Sequence, residues 1–222
     1  MTRSSPTRNS LFRNPLTRNP LIRSRRIAGR LIVAALAMLA VPATAQQQSE
    51  SYKFLQAVKD AKGSDVTNML DRPGSNLVNS REATSGEGAL HIVVKRGDSA
   101  YLRFLLQKGA DVNLRDRQGN TPLLLATQLG QRDLLPILIA ARANPNLGNQ
   151  SGVTPLIMAV QSRSIDMVRV LLAAKADPDQ KDVMAGLSAR DYADQDARAG
   201  AIAKLFADTP KRAKPQVAGP KL

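Results

Sequence analysis

From about Tyr52 onward, apolar residues fall in adjacent pairs four positions apart, and the sets return at a fixed interval. Tyr101, Leu102, Leu105 and Leu106 are followed by Leu134, Leu135, Leu138 and Ile139, then by Met167, Val168, Leu171 and Leu172, and last by Ala201, Ile202, Leu205 and Phe206. That spacing puts four side chains on one helical face, so each set predicts a short helix buried along one side. A second short helix precedes it. Its start is written as Thr121-Pro122-Leu123 and again as Thr154-Pro155-Leu156, where the threonine hydroxyl can accept from a free first-turn amide and proline fits the first turn.

The interval is 33 residues. It relates Gly86 to Gly119 and Gly152, Gly97 to Gly130, and Gly109-Ala110-Asp111-Val112-Asn113 to Arg142-Ala143-Asn144-Pro145-Asn146 and Lys175-Ala176-Asp177-Pro178-Asp179. A supersecondary unit repeated at this period cannot bury its apolar face alone, and neighbours stack into a solenoid. Function is then expected in surfaces, not in a pocket.

Gly119-Asn120-Thr121-Pro122-Leu123-Leu124-Leu125-Ala126 and Gly152-Val153-Thr154-Pro155-Leu156-Ile157-Met158-Ala159, with Gly-Ala-Asp-Val-Asn between units, resemble the ankyrin repeat family. The resemblance implies an all-α solenoid of stacked helix-turn-helix units with projecting β-hairpin-like fingers. It covers residues 52–207: a divergent first unit 52–79, units 80–113, 114–146 and 147–179, and a capping unit 180–207. The first unit is expected to open directly in a helix, Tyr52 to Ala61, with Lys53, Lys59, Asp60 and Lys62 facing water as a terminal repeat should.

Four departures from the family pattern carry expectations. Gly88-Ala89-Leu90-His91 is a weaker helix start than Thr-Pro-Leu-His, and Ser188-Ala189-Arg190 follows one inserted residue. Arg142 and Lys175 stand where Gly109 ends its helix, a left-handed site that side chains resist. Pro136, inside a second helix, should cost one hydrogen bond and bend the axis.

Charge reshapes the picture at both ends. Residues 1–45 hold eight of the 32 basic residues, all arginine, and no acid; they end in the apolar run Leu31 to Val41 and then Pro42-Ala43-Thr44-Ala45. A basic region, an apolar stretch and small residues read as an export signal peptide cleaved after Ala45, and the run is too short to span a bilayer. Its basic part repeats every five residues through Arg8, Arg13, Arg18 and Arg23, a low-complexity pattern also expected of a start site placed too early. Residues 46–51 are expected as a short linker. A bacterial protein held in the periplasm or secreted is the implied setting. Residues 208–222 read as a disordered basic tail carrying Lys211, Arg212, Lys214 and Lys221. The net charge of +14 falls to +6 without the leader, and residues 46–208 balance 20 basic against 18 acidic groups, too little field for nucleic acid.

Reactive chemistry is thinly supplied. There is no cysteine, and His91 is the one histidine, so thiolate sites and a paired-imidazole metal site are excluded. The family resemblance gives His91 a structural role, bonding the backbone of adjacent fingers. Asp177 and Asp179, or Asp191, Asp194 and Asp196, are close in sequence, but the first two sit at shared loop sites and the others on a capping helix. Gly86, Gly119 and Gly152 open fingers at the repeat period and form no phosphate cradle. No catalytic residue, cofactor or metal is assigned. Only seven aromatic residues are present, which leaves no stacking platform for bases.

If recognition follows the family, it uses finger tips and exposed edges of first helices: Lys95 and Arg96; Arg115, Arg117, Gln118, Asn120 and Gln128; Gln150, Ser151, Val153 and Gln161. Glu82, Thr84, Ser85, Glu87, Leu129 and Ser162 flank them. Arg115, Arg117, Lys95 and Arg96 are expected to form a basic stripe suited to an acidic protein patch or an anionic envelope component. The leading expectation is a monomeric, non-catalytic interaction module that binds a protein partner. The alternatives are adhesion of the tail to anionic lipid or polymer, and a hydrolase.

Overall fold

The computed structural model of the chain describes residues 43–209, and the helical stack lies in the unit that begins at Gln47. The expected signal peptide, apart from its last three residues, and the tail beyond Thr209 lie outside the described residues. Among the described residues ten α-helices follow one another: α1 (Ala43–Lys59), α2 (Gly63–Leu70), α3 (Ala89–Arg96), α4 (Ser99–Gln107), α5 (Pro122–Gln128), α6 (Leu134–Ala140), α7 (Pro155–Gln161), α8 (Ile165–Ala173), α9 (Ala189–Gln195) and α10 (Gly200–Ala207). α1 already runs through residues 46–51, so that stretch is helical and not a linker.

The two helices of a unit have different burdens. First helices sit between neighbouring units and are buried nearly all round: Ala89 to Val94 in α3 and Pro122 to Thr127 in α5 are all buried. Second helices bury one face, Leu102 and Leu105 in α4 and Met167, Val168 and Leu171 in α8. One apolar core runs from Phe54 in α1 to Phe206 in α10, and each fully buried leucine in it contributes roughly 2 kcal/mol. The expected face of the last helix is rotated. Ala201 is exposed, while Ala199, Ile202 and Phe206 are buried, because the inserted residue and a 3-10 turn over Ala197–Ala199 reset the approach to α10.

Helix starts follow the sequence signals. Thr121 and Thr154 Oγ1 accept from the amides of Leu124 and Ile157, each at 3.2 Å, with proline in the first turn. The Gly88 start is repaired by its neighbour: His91 Nδ1 accepts from the Gly88 amide at 3.2 Å. A Cβ at position 88 would stand 2.3 Å from Leu114 Cδ2, so any side chain there would require that leucine to shift. Ser188 caps α9, and Asp191 returns a carboxylate to the Ser188 amide at 2.9 Å.

Helix ends confirm the left-handed positions: Arg142 and Lys175 both have φ of 66°, against 83° at Gly109. Pro136 has a smaller effect than a kink. It falls in the third residue of α6, and the turn before it is closed by i to i−3 bonds from Leu134 to Gln131 and from Leu135 to Arg132. α6 therefore begins two residues later than its counterpart α8, which starts at Ile165. Proline costs the bond to the Arg132 carbonyl by shortening the helix.

Candidate functional site

The loops between units project as fingers, and their backbones are pinned to one another. Each is closed at its base, by Glu82 to Glu87, Asp116 to Asn120, Asn149 to Val153 and Asp182 to Leu187, with N to O distances of 2.9 to 3.0 Å. Neighbouring fingers join through one rung per repeat: Arg117 N donates to Ser85 O, Gln150 N to Gln118 O and Val183 N to Ser151 O, at 2.8 to 2.9 Å. A second ladder runs through the loop bases. Asn79, Asn113 and Asn146 Oδ1 accept from the amides of Asp111, Asn144 and Asp177 at 2.7 to 2.8 Å. The recurrent pairing of Asp or Asn two residues apart is thus a two-part device, because the first of each pair also turns its own loop: Asp111, Asn144 and Asp177 Oδ1 accept from Asn113, Asn146 and Asp179 N at 2.9 to 3.0 Å.

His91 belongs to this framework. It is fully buried, and its Nε2 lies 3.0 Å from the Asn120 carbonyl while Nδ1 receives the Gly88 amide. These partners require the neutral tautomer with the proton on Nε2. Burial, outweighing the backbone bond to Asn120, holds its pKa below the ordinary 6.5.

The expected basic stripe is partly consumed in the same scaffolding. Arg115 reaches back to the Gly119 carbonyl at 3.1 Å and forward to the Gly148 carbonyl, and Arg117 donates to the Ala83 carbonyl. Lys95 is paired with Glu87. Arg96 donates to the Val58 carbonyl at 2.8 Å and to Asp98 at 3.1 Å, with its guanidinium 5.0 Å over the Tyr101 ring. The four cations remain exposed at the surface, yet each head is already engaged.

What is left is a groove between the fingers and the ends of the first helices. At the first finger it is lined by Lys59, Glu82, Ser85, Glu87, Ile92, Lys95 and Arg96, and the Lys95 to Glu87 contact shows finger and helix end facing each other across it. Glu82 is clamped by Lys59 at 2.7 Å and by Ser85 at 2.6 Å, and the Lys59 bond is the main reason its pKa is lowered. Further along the array Gln128 ends α5 and half-exposed Leu129 follows it, exposed Gln161 ends α7 and exposed Ser162 follows it, and Gln118, Gln150, Ser151 and Val153 stand on the fingers. Asn120 is half-buried, its side chain donating to Asp116 at 2.9 Å.

Two contributors escaped the repeat register. Tyr52 on α1 is 66% exposed and, with Ser51, Leu55, Gln56, Lys59 and Arg81, extends the groove over the first unit. That unit has no finger of its own, so the loop at residues 81–88 must face α1. The other is Val183 and Met184, 74% and 81% exposed at the last finger tip, where the inserted residue displaced the register.

The sequence-adjacent carboxylates are absorbed by structure. Asp177 Oδ1 accepts from Asp179 N at 2.9 Å, Asp179 pairs with Arg190 at 2.9 Å, and Asp191 closes the cap of α9. Asp196 is bound by Arg163 at 2.7 Å, the main cause of its lowered pKa; Asp194 is exposed on α9. Among the described residues no group of three or more histidine, aspartate or glutamate side chains is placed to hold a metal, and no helix is long and apolar enough to cross a membrane.

Stacked helix pairs with glycine-pinned fingers define a repeat protein of the ankyrin class. A family model for ankyrin repeats (three copies) matches residues 54–149 and 90–182, more than half of the chain, and the chain belongs to that family. Among known proteins it is similar to protein phosphatase 1 regulatory subunit 12A of Mus musculus, 42% identical over 53 residues, which are 24% of this chain and 5% of the relative. It is also similar to putative ankyrin repeat protein L271 of Acanthamoeba polyphaga mimivirus, 35% identical over 36% of this chain and 11% of the relative. Ankyrin repeat-containing protein P1E11.10 of Schizosaccharomyces pombe is 33% identical over 33% of this chain and 34% of that protein. The aligned parts are a minor share of each relative, so the likeness is one of repeats. Ankyrin repeats are protein-interaction modules and generally non-catalytic.

Proposed function

We propose that this chain is a non-catalytic scaffold that binds a protein partner in the groove between fingers and first-helix ends. The observation that carries it is the division of labour within each repeat. Thr, Pro, Gly, Asn and His91 are committed to caps and rungs, and Gln150 Nε2 donates to the Arg117 carbonyl at 2.7 Å while Gln161 bonds Tyr192, whereas Tyr52, Gln118, Gln128 and Leu129 are exposed at the surface. Uncharged amides and scattered apolar groups suit a polar, hydrogen-bonding partner surface more than a strongly acidic one, because the arginines are already bonded. Photo-crosslinking in cells with wild type and the triple variant Gln118→Arg, Gln128→Arg, Leu129→Arg tests this. A partner lost from the variant at unchanged melting temperature supports the face; identical crosslinks remove it.

The setting we propose is the cell envelope or exterior, on the strength of the basic, apolar and small-residue order in residues 1–45. N-terminal sequencing of the mature protein is expected to begin at Gln46. A mature chain still carrying Leu31 to Val41 would remove the proposal.

A further inference from the structure

Three of the four fingers have a following finger laid against them, and the contact repeats. The acceptor carbonyls belong to Ser85, Gln118 and Ser151, and the donors are Arg117, Gln150 and Val183. After each acceptor stands a glycine with positive φ, and a Cβ on Gly86, Gly119 or Gly152 would lie 2.9, 2.9 or 2.8 Å from the incoming amide nitrogen. In the last finger the matching pair is Ala185-Gly186. Gly186 keeps the conformation, with φ of 66°, yet a Cβ there meets nothing within 4 Å. Ala185 and Gly186 are exposed, as are Val183 and Met184 beside them. Among the described residues, then, an edge shaped for a close backbone neighbour stands uncovered next to an apolar tip.

The chain itself contains a matching segment. Gly219 follows Gly186 by 33 residues and is preceded by Val217-Ala218, as Gly119 is preceded by Arg117-Gln118. The reach matches as well. Gly119 follows Gln107, the end of α4, by 12 residues; Gly152 follows Ala140, the end of α6, by 12; and Gly219 follows Ala207, the end of α10, by 12. Pro215 and Pro220 flank this stretch but spare the amide of Val217, which occupies the position from which Arg117, Gln150 and Val183 donate.

We propose that the outer edge of the last finger is a docking site for an extended backbone and that its occupant is residues 216–219 of this chain. Val217 N–H donates to the Ala185 carbonyl, and the Val217 side chain covers Met184. The segment adds an edge without closing a finger, since Pro220 lacks the amide with which Asn120 and Val153 bond the side chains of Asp116 and Asn149. A second copy is the weaker occupant: stacking end to end would bury exposed Lys53 and the exposed Asp60–Lys62 ion pair of the first unit together with Asp194 and Lys204 of the last, and taking that much charge out of water is costly. A partner strand aimed at this edge has to displace the tail, so this end of the surface is conditional where the groove at Tyr52 is open.

Amide exchange of the full chain, followed by NMR, tests the proposal. The Val217 amide is expected to exchange roughly five- to tenfold slower than its unfolded rate, the worth of one net backbone hydrogen bond, independent of protein concentration. Val217→Pro, which has no proton to donate, is expected to move the Ala185 and Gly186 amide resonances to their positions in a chain ending at Thr209. Exchange at the unfolded rate, or resonances unmoved by the substitution, overturns the site. Protection that fades on dilution overturns the occupant in favour of a second copy.

Discussion

His91 Nε2 lies 3.0 Å from the Asn120 carbonyl oxygen, and this single contact ties the first turn of α3 to the neck of the next finger. The imidazole can serve both partners only while neutral. Its folded pKa is held below the unfolded value of 6.5, chiefly by burial, so the unfolded chain takes up the proton first. Stability is therefore full above about pH 6.5 and falls as the pH drops through and below that value toward the folded pKa. Thermal melts between pH 8 and 5 are expected to show this decline, and His91→Leu, which adopts the residue type of Leu124 in the next unit, is expected to flatten it. At pH 8 the same variant should melt lower, because the Gly88 amide and Asn120 carbonyl lose a partner at a cost of about 1 to 3 kcal/mol.

Arg142→Gly and Lys175→Gly are expected to stabilise the fold by roughly 1 kcal/mol each, the cost of holding a side chain at positive φ. Arg163, with φ of 54°, is the control. Its Nε is 2.7 Å from Asp196 Oδ2, so glycine there relieves strain but removes a surface pair worth a few tenths of a kcal/mol to about 1 kcal/mol, and the melting temperature should scarcely move. Parallel gains at all three positions would mean the ion pair contributes nothing.

Gly119→Ala and Gly109→Ala separate conformation from contact. Both glycines have φ near 82° to 83°, but a Cβ on Gly119 meets Gln150 N at 2.9 Å while one on Gly109 meets nothing within 4 Å. Gly109→Ala should lose about 1 kcal/mol from strain alone. Gly119→Ala should lose clearly more and also raise the exchange rate of the Gln150 amide. Equal losses by chemical denaturation would deny the rung its role.

Asn146→Ala is expected to destabilise by about 1 kcal/mol, since it removes the acceptor for Asp177 N at 2.7 Å and the donor to the Lys175 carbonyl at 3.3 Å. The Asp177 amide is the reporter. Its hydrogen exchange should accelerate while that of Asn144, bonded to Asn113, stays as it was.

The scaffold was readable because each of its parts is local and periodic. Thr121 and Thr154 announce helix starts within three residues of the amides they cap, and Arg142 and Lys175 reveal their strained backbone by standing in line with Gly109. The groove was harder to read. Arg115 and Arg117 look like free recognition groups in the sequence of one repeat, whereas folding brings Arg115 to the Gly119 carbonyl of its own finger and both arginines to carbonyls of neighbouring units, Gly148 and Ala83. Tyr52 belongs to a unit too divergent for register, Ala201 was misplaced by one inserted residue, and Pro136 proved to trim a helix because it falls in a first turn.

One side chain ties the two helices of the final unit to the loop before them. Arg190, in the place that Leu123 and Leu156 hold earlier, bonds Asp179 and reaches the Phe206 and Thr209 carbonyls. An array terminated this way is modular: a duplicate of residues 147–179 spliced in after Asp179 would find a ready acceptor at every join, and the old terminus would close it unchanged. Lengthening such a protein requires no new core, only another copy, which gives evolution or an engineer a cheap means of widening the territory it can grip.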